Sequence, residues 1–195
     1  MPEATHASTE TKGEPESRVI GQGKFLKLKA KDVVGEDGKG RTIEYLDRPK
    51  PVAAVLAYRL DEATGERILM LEINRRDAVG KNLIEAAAGS VEAGETPEQG
   101  AKRELEEELG FSVEDIKAVG EGYASPGITN ERMFFFIAKV GKYVGQRLEE
   151  GEELSLMEVT EKEARRLYSE GKITDNKTHR LLSEYFLRGM DQAPQ

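Results

Sequence analysis

The stretch TPEQGAKRELEEELG, Thr96 to Gly110, constrains the chain most strongly. Thr96 suits an N-cap, Pro97 the first helical position, and Gln99 completes a capping box. Gly110 suits the left-handed residue that ends a helix. The spacing therefore predicts a helix from about Pro97 to Leu109. Successive residues turn about 100° around its axis, so Glu108 lies about 40° to one side of Glu104 and Glu107 about 60° to the other. Ala101, Leu105 and Leu109 form the adjacent apolar stripe and are expected to face a core. Glu106 is expected to point to solvent.

Three carboxylates on one stripe repel one another by a few tenths of a kcal/mol per pair. Taken alone, such a run is a solvated acidic face with Arg103 paired to Glu107. Its setting favours a site. A Gly-rich loop precedes the helix, and Glu95 stands just before the cap. A hard cation at the edge of the buried face would relieve the repulsion. Mg²⁺ takes oxygen ligands and few protein groups, stabilises charge on phosphoryl oxygens and activates water.

Composition narrows the classes. The 195 residues are 37% hydrophobic and 34% charged, enough for one cored domain, or one domain with an appendage. The net charge is −8 and no basic block stands out, which argues against nucleic acid as partner. There is no cysteine, which excludes disulfides and thiolate chemistry and fits a reducing cytoplasm. No signal-peptide core and no long apolar run is visible, so neither secretion nor a membrane partner is expected.

Residues 1–17 are polar and are read as a disordered tail. Residues 18–49 are read as an N-terminal β region and residues 50–195 as the main domain. Phe25 to Val34 alternates, GEDGKG supplies a turn, and RTIEYL returns as a hairpin. A calcium loop over Asp32 to Glu44 fails, because its sixth position is Asp37 rather than Gly. PVAAVLAYRL and RILMLEIN form a second strand pair. FFFIAKV and LSLMEVT are further strands. Two helices close the chain, the first capped by Thr160 and ended at Gly171, the second over NKTHRLLSEYFLRG. Mixed strands and helices without regular βαβ alternation give an α+β class.

The quoted region resembles the Nudix box. Gly89, Glu95, Arg103, Glu104, Leu105, Glu107, Glu108 and Gly110 match it, and Phe111 departs where Ile, Leu or Val is usual. The resemblance implies an α/β/α sandwich with a mixed sheet, and cleavage of a nucleoside diphosphate linked to another group. It implies Glu104, Glu108 and the Ala88 carbonyl as ligands to Mg²⁺, with Mn²⁺ as a substitute. Glu107 would serve a further ion or its water. Arg103 would orient the carboxylates, with Glu95 as its partner.

YASPGITNERMFFF resembles the segment after the box in ADP-ribose pyrophosphatases, with Pro126 at the diagnostic proline. That implies Glu131 on the terminal sugar hydroxyls. LEEGEELSL resembles the same branch's acidic loop, which implies Glu152 as a metal ligand and Glu150 as the general base. Glu149 and Glu153 are read as solvated. Arg75 matches an arginine that meets the diphosphate or base, and Glu85 a recurrent acid that binds the base. Arg48 would reach the nucleotide from the partner subunit of a homodimer with exchanged N-terminal strands. The expected substrate is a nucleoside diphosphate sugar: ADP-ribose, cleaved to AMP and ribose 5-phosphate. GDP-mannose or UDP-glucose is the nearest alternative. A ligand-sensing domain without turnover is a third; such domains tend to have an eroded box and a DNA-binding appendage, and this sequence shows neither.

Overall fold

The structure is a computed structural model and describes residues 15–148 and 153–188. Among these residues, ten strands form two sheets. β1 (Ser17–Gln22), β2 (Lys27–Val34) and β3 (Gly40–Asp47) make an antiparallel sheet in that order. The main sheet runs β10 (Leu154–Thr160), β5 (Arg67–Arg76), β4 (Val52–Leu60), β9 (Arg132–Tyr143), β8 (Phe111–Tyr123). Two short strands extend it, β6 (Lys81–Glu85) on β5 and β7 (Ala87–Ser90) on β4. β4 and β9 pair in parallel and the other ladders are antiparallel, so the sheet is mixed.

β4 lies at the centre of the fold. Its run Ala53-Ala54-Val55-Leu56-Ala57 is wholly buried, as befits a strand covered on both faces. Ala53, Val55 and Ala57 pack with Ala101, Leu105 and Leu109 of the acidic helix on one side. Ala54 and Leu56 pack with Ala164, Leu167, Leu181, Leu182 and Tyr185 on the other. Those residues belong to α2 (Glu161–Ser169) and α3 (Asn176–Leu187). The result is an α/β/α sandwich. The N-terminal sheet joins it through Leu46, whose N–H donates to the Ile128 carbonyl at 2.9 Å and whose carbonyl accepts from Thr129 Oγ1 at 3.1 Å.

Several local expectations are corrected. The acidic helix is not uniform: α1 covers Pro97–Glu104, and Leu105–Leu109 forms a π-helical turn ended by Gly110 at φ 78°. A strand begins already at Ser17, within the stretch read as tail; residues 1–14 of that tail lie outside the described residues. With β1 added, the N-terminal hairpin becomes a three-stranded sheet. The 13-residue β8 has no counterpart in the sequence reading. Three register shifts along it break the alternation that would have revealed it.

Candidate active site

Two sequence devices bring the box together. The capping box forms as spaced: Thr96 Oγ1 accepts from Gln99 N–H at 3.2 Å, and Gln99 Oε1 accepts from Thr96 N–H at 2.8 Å. At the other end the π turn widens the helix by one residue. Its terminal carbonyls are taken by the segment after β9. Val144 N–H donates to Gly110 O at 2.7 Å, Arg147 N–H to Glu107 O at 2.9 Å, and Gln146 Nε2 to Glu108 O at 2.6 Å. The acidic turn is thus fixed in orientation, with Leu105 and Leu109 fully buried.

Arg103 ties the carboxylates into one knot. Its Nε donates to Glu95 at 2.9 Å, one terminal nitrogen to Glu104 at 2.7 Å and Glu107 at 2.9 Å, and the other to the Ser90 carbonyl at 2.8 Å and Glu95 at 3.2 Å. The hydrogen bond to Glu95 is the main cause that raises the guanidinium pKa above its ordinary value. The same bond holds the Glu95 carboxyl below the usual range, helped by the Glu92 N–H. A single planar donor set therefore orients three acids from two segments.

Glu108 lies apart from this knot. It is 5% exposed, and its Oε2 accepts the Ala88 N–H at 2.9 Å. Glu104 lies against the next residue: a Cβ built on Gly89 would stand 2.1 Å from its carboxylate carbon. Only glycine admits that approach. Glu104 and Glu108 thus both lie against the Ala88–Gly89 backbone. Among the described residues no three acidic or imidazole groups already enclose a metal position, because Glu104 and Glu107 are turned to Arg103. The donors nonetheless fit a hard divalent cation: all are oxygens, and the missing Cβ at Gly89 lets one carboxylate reach the backbone beside the Ala88 carbonyl. Glu106 is half-buried rather than free in solvent, 3.8 Å from Arg147.

A second charged cluster lies at the end of β5 and β6. Glu85 is buried, accepts two bonds from Arg76 at 2.8 and 2.7 Å, and is ion-paired with Lys177 of α3. Burial pushes its carboxyl up, but the two cations outweigh that and hold it below the ordinary range. Glu72, opposite Glu85 in the ladder, is also buried; it accepts from Asn74 at 3.3 Å, and its second oxygen has no hydrogen-bond partner among the described residues. Burial pushes this carboxyl up to about 7. Arg75 is not part of the cluster. Strand alternation sends it the other way, to Asp77 at 2.9 Å and the Gly80 carbonyl at 3.2 Å. Arg76 is the arginine beside Glu85.

Glu72 and Lys177 were missing from the sequence reading. A lone acid in the apolar run ILMLEI was a usable signal for Glu72; Lys177 is 92 residues from its partner and gave none. Arg48 pairs with Glu131 of its own chain at 3.0 Å, beside the SPG turn. A cleft of about 450 Å³ adjoins them, lined by Lys31, Tyr45, Tyr123, Pro126 and Asn130 among others. Glu150 and Glu152 lie outside the described residues. A further cleft of about 640 Å³ between α2 and α3 shares no residue with the box.

An acidic turn on one face of a mixed sheet, with an arginine-ordered set of glutamates against a Gly-containing strand, is the arrangement that the resemblance to the Nudix box implies. A NUDIX domain model matches residues 50–181, and the chain belongs to the Nudix family as a hydrolase. It is 33% identical over 161 residues to an ADP-ribose pyrophosphatase of Bacillus subtilis (strain 168), covering 82% of this chain and 84% of that one. It is 32% identical over 161 residues, with the same coverage, to a methanol dehydrogenase activator of Bacillus methanolicus. A GDP-mannose pyrophosphatase of Pectobacterium atrosepticum is 31% identical over 144 residues, covering 70% of this chain and 73% of that one. A crystal structure of an ADP compounds hydrolase superposes with a TM-score of 0.75 at 18% identity, over 93% of this chain and 98% of that one. That likeness concerns the fold. Among the described residues no helix is long and apolar enough to cross a membrane.

Proposed function

We propose that this chain hydrolyses the diphosphate of ADP-ribose to AMP and ribose 5-phosphate, with Mg²⁺ bound at the box and Mn²⁺ able to replace it. The observation that carries the reading is the placement of Glu104 and Glu108 on the Ala88–Gly89 backbone, with Arg103 holding Glu95, Glu104 and Glu107. Glu104, Glu108 and the Ala88 carbonyl hold the cation, and Glu107 serves a second ion or its water. The bound cation supplies charge neutralisation of the diphosphate and a more acidic water. Arg103 keeps the acids oriented as Glu104 turns from it toward the cation. Arg75 is assigned to the diphosphate or base, and Arg76, fixed by buried Glu85 but itself 43% exposed, offers its remaining N–H groups beside it.

Water adds to one phosphorus as the bridging P–O bond breaks, and the water proton passes to a loop carboxylate. Glu150 is assigned as that base and Glu152 as an added ligand. The flanks of their loop support this: Arg147 N–H donates to Glu107 O, and Glu153 O accepts from Arg75 N–H at 3.5 Å. Glu131, with Arg48, lies beside the SPG turn and is assigned to the terminal sugar. Val19 and Val34 on the N-terminal sheet, and Phe25 in the turn between β1 and β2, are exposed and supply apolar area for a homodimer. The reaction is placed in the cytoplasm, in keeping with a chain free of cysteine.

GDP-mannose is the second reading, favoured by the relatives of that name. A panel of ADP-ribose, GDP-mannose, UDP-glucose and ATP, incubated with enzyme and Mg²⁺ and read as phosphate released by added phosphatase, separates the readings. ADP-ribose is expected first and ATP last. A preference for ATP would refute the assignment of the SPG segment to a sugar.

A further inference from the structure

The chain changes neighbours at Ala86. β6 ends on β5 at Glu85, and β7 begins on β4 at Ala87. Ala86 belongs to neither strand and is fully buried, so its N–H needs a partner from elsewhere. That partner is Thr178 Oγ1, in the first turn of α3, at 2.7 Å. Thr178 is itself fully buried, and its hydroxyl is directed: it donates to Asp175 at 2.6 Å, which leaves its lone pairs for Ala86. Asp175 is held in turn as the N-cap of α3, accepting the Thr178 N–H at 2.9 Å. Lys177 pairs with Glu85 on one side and with Asp175 at 3.1 Å on the other. Two residues beyond Ala86, the Ala88 N–H meets Glu108, and Gly89 receives the Glu104 carboxylate. A rotation of the peptide at Ala86 would reach Ala88 through a single intervening residue.

We propose that Thr178 is a positioning residue for the metal site. Its hydroxyl fixes the crossing between β6 and β7, and so sets the Ala88 backbone against Glu108. The inference rests on the reading of Glu104, Glu108 and the Ala88 carbonyl as cation ligands. Thr178 touches no reacting group; it acts through the strand.

The test is Mn²⁺ binding to the full chain without substrate, followed by electron paramagnetic resonance of the free ion. Thr178→Val keeps the shape and removes the hydroxyl. It should raise the Mn²⁺ dissociation constant about tenfold or more, the scale seen when a partner behind the ligands is lost. Thr178→Ser should restore it to near wild type. Leu182→Val, a packing change elsewhere on α3, should lower the Tm and leave Mn²⁺ affinity unchanged. If Thr178→Val does not fold, serine and cysteine at the position carry the test: serine near wild type with cysteine weaker supports the proposal, and equal affinities overturn it. Unchanged affinity in folded Thr178→Val overturns it, as does equal weakening in Leu182→Val. Wild-type protein that binds no Mn²⁺ refutes the metal-centre reading itself, and this role with it.

Discussion

Each acid of the box has a different environment, and substitutions should sort accordingly. Glu108 is buried with one oxygen on the Ala88 N–H, so Glu108→Gln keeps its packing and loses a charged ligand. It should fold normally and lower kcat by about two orders of magnitude or more. Glu106 faces Arg147 at 3.8 Å, and Glu106→Gln should change kcat little. Steady-state rates at saturating Mg²⁺ check both; equal losses would place Glu106 among the ligands. Glu72 gives a stability prediction. It faces Glu85, Arg76, Lys177 and Asn74, and burial raises its folded pKa from 4.5 to about 7. The folded state therefore binds more protons than the unfolded state between these values, and stability falls as pH rises through that window. Glu72→Gln mimics the protonated acid and removes this loss. Its Tm advantage over wild type should be small near pH 5 and grow by roughly 4–8 °C by pH 8, on the order of 2 kcal/mol. A constant difference across that range in thermal melts would contradict the assignment. The box was legible because its residues are close in sequence and tied by helical spacing. Glu72 and Arg76 share one face of β5 by strand alternation, but they meet Glu85 and Lys177 only once β5, β6 and α3 have packed.

At the scale of elements, caps were readable and distortions were not. Thr96, Gln99 and Gly110 set the ends of the acidic helix as their chemistry requires. The π turn between them was hidden, because a one-residue widening leaves the hydrophobic stripe of Leu105 and Leu109 intact. β8 was hidden for a related reason: its bulges shift the apolar positions out of period two. β1 was missed because its side chains are mostly exposed and carry little pattern. Gly110 carries the sharpest prediction here. Its φ is 78°, and a Cβ would stand 2.7 Å from the Tyr143 ring and 2.8 Å from the Gln146 nitrogen. Gly110→Ala should cost about 1–3 kcal/mol from backbone strain alone, with the clash added, and lower the Tm by several degrees. It should also loosen the 144–147 segment and with it kcat. An unchanged Tm would mean that the turn does not hold the left-handed geometry.

Across the whole molecule, the two faces of the sheet divide the work. The box helix covers one face and supplies oxygen donors. α2 and α3 cover the other, and the first turn of α3 reaches the crossing between β6 and β7 to steady the strand those donors rest on. The class was legible from composition and the order of elements; the strand order of the sheet and the join at Leu46 come only from long-range pairing. The central claim is that this arrangement cleaves a nucleoside diphosphate sugar between its phosphorus atoms. ³¹P NMR of ADP-ribose with enzyme and Mg²⁺ tests it most directly. The diphosphate resonances should be replaced by two phosphomonoester signals of equal intensity, AMP and ribose 5-phosphate, and excess EDTA should stop the change. Diphosphate resonances that persist with active-site-saturating Mg²⁺, or conversion that proceeds unchanged in EDTA, would contradict the account.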